Sequence, residues 1–286
     1  MSPDASHQGS VTTRGRLRIY LGYAPGVGTT CAMLREGRRR AERGTDVVVA
    51  HAETHGRRYT AGLLESLEVV PAAEVPYRGT KVHEMDLRAV LARRPQVALV
   101  DDFAHSNVPG LRHAKRWQDV EGLLAAGIDV ISTVGIEHLD SLSDVMEKIT
   151  AVWPGQTVPD QVVRTACEIE LVDAAPEALR ERMARGHIYP AERAAAALDG
   201  WFRAGNLSVL RELALLWLAA ALASDPQRRH PGVHVPGGGD ARERMVVALS
   251  GIRAETLVAG FLHHRAWSAV CAAGARAACT ARNHLP

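Results

Sequence analysis

Gly22-Tyr23-Ala24-Pro25-Gly26-Val27-Gly28-Thr29-Thr30-Cys31 lies between an apolar run, Arg16-Leu-Arg-Ile-Tyr-Leu21, and a segment of helical composition, Cys31 to Ala41. A glycine-rich turn leading from a strand into a helix collects backbone N–H groups and a helix N-terminus around one anion-sized concavity. The stretch follows the phosphate-loop pattern Gly-x-x-x-x-Gly-Lys-[Ser/Thr] with two departures. Gly22 comes one residue early, Tyr23 holding the place of the first glycine, and Thr29 stands where the lysine belongs. A threonine supplies no charge to the outer phosphates. Weak nucleotide binding and poor or absent hydrolysis are the expectation.

Working outward, apolar runs alternate with helical segments: Asp46 to Ala50, then Ala61 to Leu67; Val97 to Val100, then Arg116 to Ala126; Ile128 to Thr133, then His138 to Ile149; and Glu168 to Val172 as a fifth strand. Apolar strands separated by single helices indicate a mainly parallel sheet covered on both faces, an α/β three-layer fold. Ligands of such sheets sit at the carboxyl ends of the strands. The chemically loaded residues fall there. Glu53-Thr-His55-Gly-Arg57 follows the second strand, Asp101 to Asn107 the third, and Thr133 to His138 the fourth. After Asp173 the texture turns helical, with Pro176 starting a helix, Ala191 to Phe202 and Leu207 to Ala223 continuing, and Gly205-Asn206 as a break. Residues 224–240 read as a linker rich in Pro and Gly.

The 286 residues, 47% hydrophobic and 23% charged, suffice for a sizeable core. A net charge of +2, with basic and acidic residues interspersed, argues against a nucleic-acid partner. Cys31, Cys167, Cys271 and Cys279 show no metal-ligand spacing, and a reducing cytoplasm is the simplest compartment. Residues 1–14 read as a flexible tail and not a signal peptide. The most apolar stretch, Leu213 to Ala223, is shorter than the roughly 20 residues of a membrane span, so no transmembrane segment is expected.

Val97-Ala-Leu-Val-Asp101 has the form of a Walker B element, a buried strand ending in a carboxylate that holds Mg²⁺ opposite the Thr30 hydroxyl. The expected nucleotide-binding residues are Gly22, Pro25, Gly26, Val27, Gly28, Thr29, Thr30, Cys31 and Asp101, with Mg²⁺ held at Thr30 and Asp101 through ATP. Glu53, His55, Arg57, His105 and Asn107 are candidate sensing residues on the same rim; the alternative is that such histidines are structural. The spacing of His105, His113 and His138 fits no metal template.

These strings, with Tyr77-Arg-Gly79, Arg112-His-Ala-Lys-Arg-Trp-Gln-Asp-Val-Glu121 and Glu137-His-Leu-Asp-Ser141, resemble the N-terminal cytoplasmic sensory domain of the KdpD family of potassium- and turgor-sensing histidine kinases. The resemblance covers about Gly15 to Leu218. It implies a fold like that of P-loop NTPases, ATP at Gly22 to Thr30, and a regulatory role toward a histidine-kinase core or response regulator of a two-component system. Full-length members of that family lie in the plasma membrane. It also implies that residues 241–286 begin a universal-stress-protein-like domain, although from about Gly260 the text reads as out-of-frame translation. Besides Thr29, Asp102 and Phe103 stand where Glu and Leu are usual in the family, and Gly135 and Glu137 where Asn and Gln are usual. The rival reading is a stand-alone P-loop ATPase or kinase-like enzyme that draws another cation, from Arg57, Lys115 or Arg116, into the loop.

Overall fold

A computed structural model describes residues 13–223. The expected linker at 224–240 and the stress-protein-like fragment at 241–286 lie outside the described residues. Strand β1 (Leu17–Gly22) feeds helix α1 (Thr29–Glu42), which returns to β2 (Val47–His51); α2 (Arg58–Leu64) and the short β3 (Glu68–Val69) follow. A hairpin of β4 (Ala73–Tyr77) and β5 (Thr80–Glu84) leads to α3 (Leu87–Arg93), β6 (Val97–Val100), α4 (Arg116–Ala125) and β7 (Asp129–Gly135). Then come 3-10 turns at Ile136–His138 and Asp140–Leu142, α5 (Ser143–Thr150), α6 (Asp160–Arg164), β8 (Glu168–Val172), α7 (Pro176–Ala184), α8 (Ala191–Asp199) and α9 (Ala204–Ala223).

Six strands form one sheet in the order β3-β2-β6-β7-β1-β8, and every pairing in it is parallel. Side chains alternate across the pleat, so each strand serves two apolar layers. Tyr20, Val47, Val49, Val97, Leu99 and Ile131 pack with Met33 and Leu34 of α1 and Leu63 of α2. Val48, Ala98 and Val130 take the alternate positions and are likewise buried, as are Val90 of α3 and Val120, Leu123 and Leu124 of α4. This is the three-layer α/β fold expected from the strand pattern.

Several local expectations need correction. The hairpin, α3 and α6 were not anticipated. The segment from His138 starts as tight turns because Leu139 bridges to Val158, and the helix begins only at Ser143. Gly205-Asn206 is not a break. Both lie within α9, and the Asn206 side chain donates to the Gly200 carbonyl at 3.1 Å, closing the real break at Gly200–Arg203. The apolar segment is also longer than expected, since Ala204–Ala223 is one helix of 20 residues, long and apolar enough by length and composition to cross a membrane. It nevertheless buries Leu207, Leu210, Leu213, Ala214, Trp217 and Ala221 within the fold, and its Arg211 pairs with Asp173.

Candidate functional site

The turn from β1 into α1 depends on two glycines. Gly26 (φ +85°) and Gly28 (φ +112°) occupy the left-handed region that L side chains rarely adopt. Gly28 is the N-cap of α1, with no side-chain cap and no acidic residue in the first turn. The first turn of the helix therefore carries no carboxylate of its own. The Cγ2 atoms of Thr29 and Val27 both stand 3.0 Å from where a Cβ on Gly22 would lie, so the Thr29 methyl folds back over the strand end. Tyr23 turns out of the loop, its hydroxyl donating to the Ala174 carbonyl at 2.7 Å. The Cys31 thiol contacts the Thr60 hydroxyl at 3.6 Å, which leaves only the backbone of Cys31 for a ligand.

Asp101, buried at the end of β6, meets the loop as expected. Its carboxylate accepts from Thr30 Oγ1 at 3.0 Å and from Thr133 Oγ1 at 2.5 Å. Thr133 Oγ1 in turn accepts the Asp102 N–H at 3.0 Å, Asp102 being held at φ +56°. Burial raises the pKa of Asp101; the hydroxyls of Thr133 and Thr30 and a backbone bond from Glu53 oppose that rise. No side-chain cation is among its partners. A hydroxyl and a carboxylate 3 Å apart, the carboxylate uncompensated, make an oxygen donor set suited to a hard divalent cation.

The remaining expected residues divide. The side chains of Glu53 and His55 are more than half exposed and face each other at 3.4 Å, so neither is held against the loop. His105 is structural. Its Nε2 sits 3.1 Å from both oxygens of Glu84, a carboxylate buried on β5 that also accepts from Val108 N–H and from Arg116 Nη2, each at 3.0 Å. Asn107 donates to the His113 carbonyl and to Asp119, which also binds His113 Nδ1 at 2.7 Å. Residues 102–115 are thus a strap anchored by side chains. Neither Arg116 nor Lys115 is free for the loop: Arg116 is bound to Glu84 and to the Asp101 carbonyl, and Lys115 to Ser106 and the Thr157 carbonyl. Beside the strap, burial and the nearby Arg116 and His105 push the pKa of His51 down to about 3.

One arginine reaches the loop itself and a second holds the residue that covers it. Arg182 of α7 donates to the Gly26 carbonyl at 3.3 Å, and Arg57 donates to the carbonyl of Ile188, whose side chain covers Gly26. The Arg57 Nε is buried without a partner. Sequence reading passes over Arg182 and Glu84, while Thr133 falls within the stretch expected at the end of the fourth strand but is given no role there.

Comparison with known proteins places the whole described region in one group. The family model described as KdpD, osmosensitive K⁺ channel His kinase sensor domain, matches residues 13–222. The sensor protein KdpD of Mycobacterium tuberculosis (strain H37Rv) is 55% identical over 248 residues, which is 86% of this chain and 29% of that protein. That of Rathayibacter rathayi is 51% identical over 235 residues, 82% of this chain and 27% of its own. The Escherichia coli (strain K12) protein is 48% identical over 221 residues, 77% of this chain and 25% of its own. The chain thus spans less than a third of the length of each of these relatives.

Proposed function

Because the chain belongs to the family of KdpD osmosensitive potassium-channel histidine-kinase sensor domains, we propose that it is a cytoplasmic regulatory module of a two-component potassium-sensing system. In this reading it takes MgATP weakly at Gly22 to Thr30 and acts on a histidine-kinase core or response regulator. The observation that carries the nucleotide part is the contact of Thr30 with the buried Asp101 at 3.0 Å beside an uncapped helix N-terminus. Thr30 and Asp101 would hold Mg²⁺, which would screen the phosphate charge. The backbone from Gly26 to Thr30 would cradle the phosphates, and Thr29 would contribute packing where the family pattern has a cation.

Removing one charge-assisted contact costs about 1.5 to 3 kcal/mol, which leaves weak binding intact. Losing a group that offsets transition-state charge commonly costs about a hundredfold or more in rate. Isothermal titration with MgATP tests the reading. Weak binding that Thr29→Lys strengthens by roughly tenfold, about 1.4 kcal/mol, is expected; low-micromolar or tighter affinity in the unaltered chain would refute it. Arg182 on the Gly26 carbonyl favours the second reading, an ATPase that borrows a cation from α7. Turnover of ATP by the purified chain that Arg182→Ala abolishes would establish that reading instead.

A further inference from the structure

Pro25 of the loop also lines a cavity of about 580 Å³. Glu137, His138, Trp153, Tyr189 and Trp201 line it. These side chains come from three separate segments: the 3-10 turn after β7, the loop after α5, and the stretch from Tyr189 through the end of α8. Tyr189 is fixed edge-on against the buried ring of Phe202, with centroids 6.1 Å apart.

Two polar atoms in this lining have no partner. Glu137 is only 8% exposed, yet its Oε2 makes no hydrogen bond; the indole Nε1 of Trp201 is buried and also unpaired. The His138 ring stands beside the carboxylate, its Nε2 4.0 Å from Oε1 and its Nδ1 2.8 Å from the Gln156 carbonyl. Desolvation raises the pKa of Glu137, and His138 opposes that only in part. A buried carboxylate without a counter-charge is costly. Gly135 makes room for it, since a Cβ there would lie 2.2–2.4 Å from the carboxyl group. The two departures at 135 and 137 from the family pattern are therefore one arrangement: the lost side chain creates the space that the acid occupies.

A carboxylate among two indoles and a phenol is a chemistry that selects positive charge on a hydrophobic body. The ring faces attract a cation most strongly when it is desolvated, and the acid supplies the ion pair. Ammonium or metal ions of high charge density keep their water and gain little from such rings. The unpaired indole N–H adds a demand for an oxygen acceptor on the same ligand. We infer that this cavity binds a small organic alkylammonium compound carrying a hydroxyl or carboxylate oxygen, its cationic head on Glu137 and the rings and its oxygen at Trp201 Nε1. Pro25 borders both this cavity and the proposed nucleotide loop.

Choline and its neutral carbon isostere, 3,3-dimethylbutan-1-ol, separate charge recognition from simple apolar filling. Calorimetry on the full chain, together with the indole N–H resonances assigned through Trp153→Phe and Trp201→Phe, reads the result. Choline is expected to bind saturably and shift both resonances, and the isostere to bind at least tenfold more weakly. Glu137→Gln, which removes the charge but keeps the shape, should cost choline at least tenfold, with Glu137→Asp recovering part of it. Gly135→Ala, which displaces the carboxyl without altering it, should weaken choline as well and guards against misfolding of any one variant. Equal binding of choline and the isostere, or unmoved indole resonances, overturns the inference. Adenosine shifting those resonances while choline does not would overturn it too, making the cavity a base pocket.

Discussion

Glu84 and Asp101 are both buried carboxylates, and both touch Arg116, yet their compensation is opposite. Glu84 takes the Arg116 guanidinium, the His105 ring and the Val108 N–H, while Asp101 offers its oxygens to two hydroxyls and has Arg116 only on its backbone carbonyl. A carboxylate whose charge is met inside the protein holds structure. One whose charge is left over can take a ligand's cation. The contrast separates two neighbouring acids into a strut and a candidate site.

Breaking the strut should give the largest effect. Arg116→Ala leaves Glu84 buried and without its cation, for which about 3 to 5 kcal/mol of stability is expected to be lost in urea denaturation. A loss below about 1 kcal/mol would erase the contrast, because Glu84 would then prove as tolerant of isolation as Asp101.

His51 gives the next effect. Its ring stays neutral in the fold with a pKa of about 3 and titrates near 6.5 when unfolded. The stability it contributes is complete above about pH 6.5 and drains away as pH falls toward 3. At about 1.4 kcal/mol per pH unit, roughly 2 kcal/mol should be gone by pH 5. His51→Gln should flatten that slope when melts are compared between pH 7 and 5. An unchanged slope would mean that burial, with Arg116 nearby, does not bar the proton.

The smallest stability effect belongs to the site itself. Asp101→Asn keeps one acceptor oxygen, at the position that Thr133 Oγ1 reaches at 2.5 Å and Thr30 Oγ1 at 3.2 Å, and removes a buried charge. Stability at pH 7 should stay within about 1 kcal/mol of the parent or rise, while Mg²⁺-dependent nucleotide affinity falls about tenfold or more. Because the folded pKa of Asp101 is raised, its charge burdens the fold at neutral pH. The burden vanishes below the unfolded carboxyl value near 4, so any gain from the substitution should shrink as pH drops. A large loss of stability would reclassify Asp101 as a second strut.

The sheet was legible because Val47 to Ala50 and Val97 to Val100 are continuous apolar runs, which only a doubly covered parallel strand requires. The hairpin was not. Ala73, Val75 and Tyr77 alternate with Glu74 and Pro76, but the run is short, carries a proline and leaves much of its surface exposed, so its apolarity does not mark it. Glu84 is consequently invisible as a buried acid; nothing local distinguishes it from Glu74, which pairs with Lys81 on the surface. Thr30 and Asp101 could be paired from the strand-to-helix turn and the strand-end carboxylate alone, because the parallel topology delivers both to one edge. Glu137, Trp153, Tyr189 and Trp201 could not be brought together this way, since their meeting depends on how α8 packs, which leaves no periodic trace.

The cover over Gly26 sets a limit on motion. A Cβ at that position would lie 2.5 Å from the Ile188 side chain, while Arg182 holds the Gly26 carbonyl and Arg57 that of Ile188. The turn and the segment after α7 therefore leave no room between them for a side chain, so a change in the path of the loop would meet the residues that follow α7, the helix against which α9 packs.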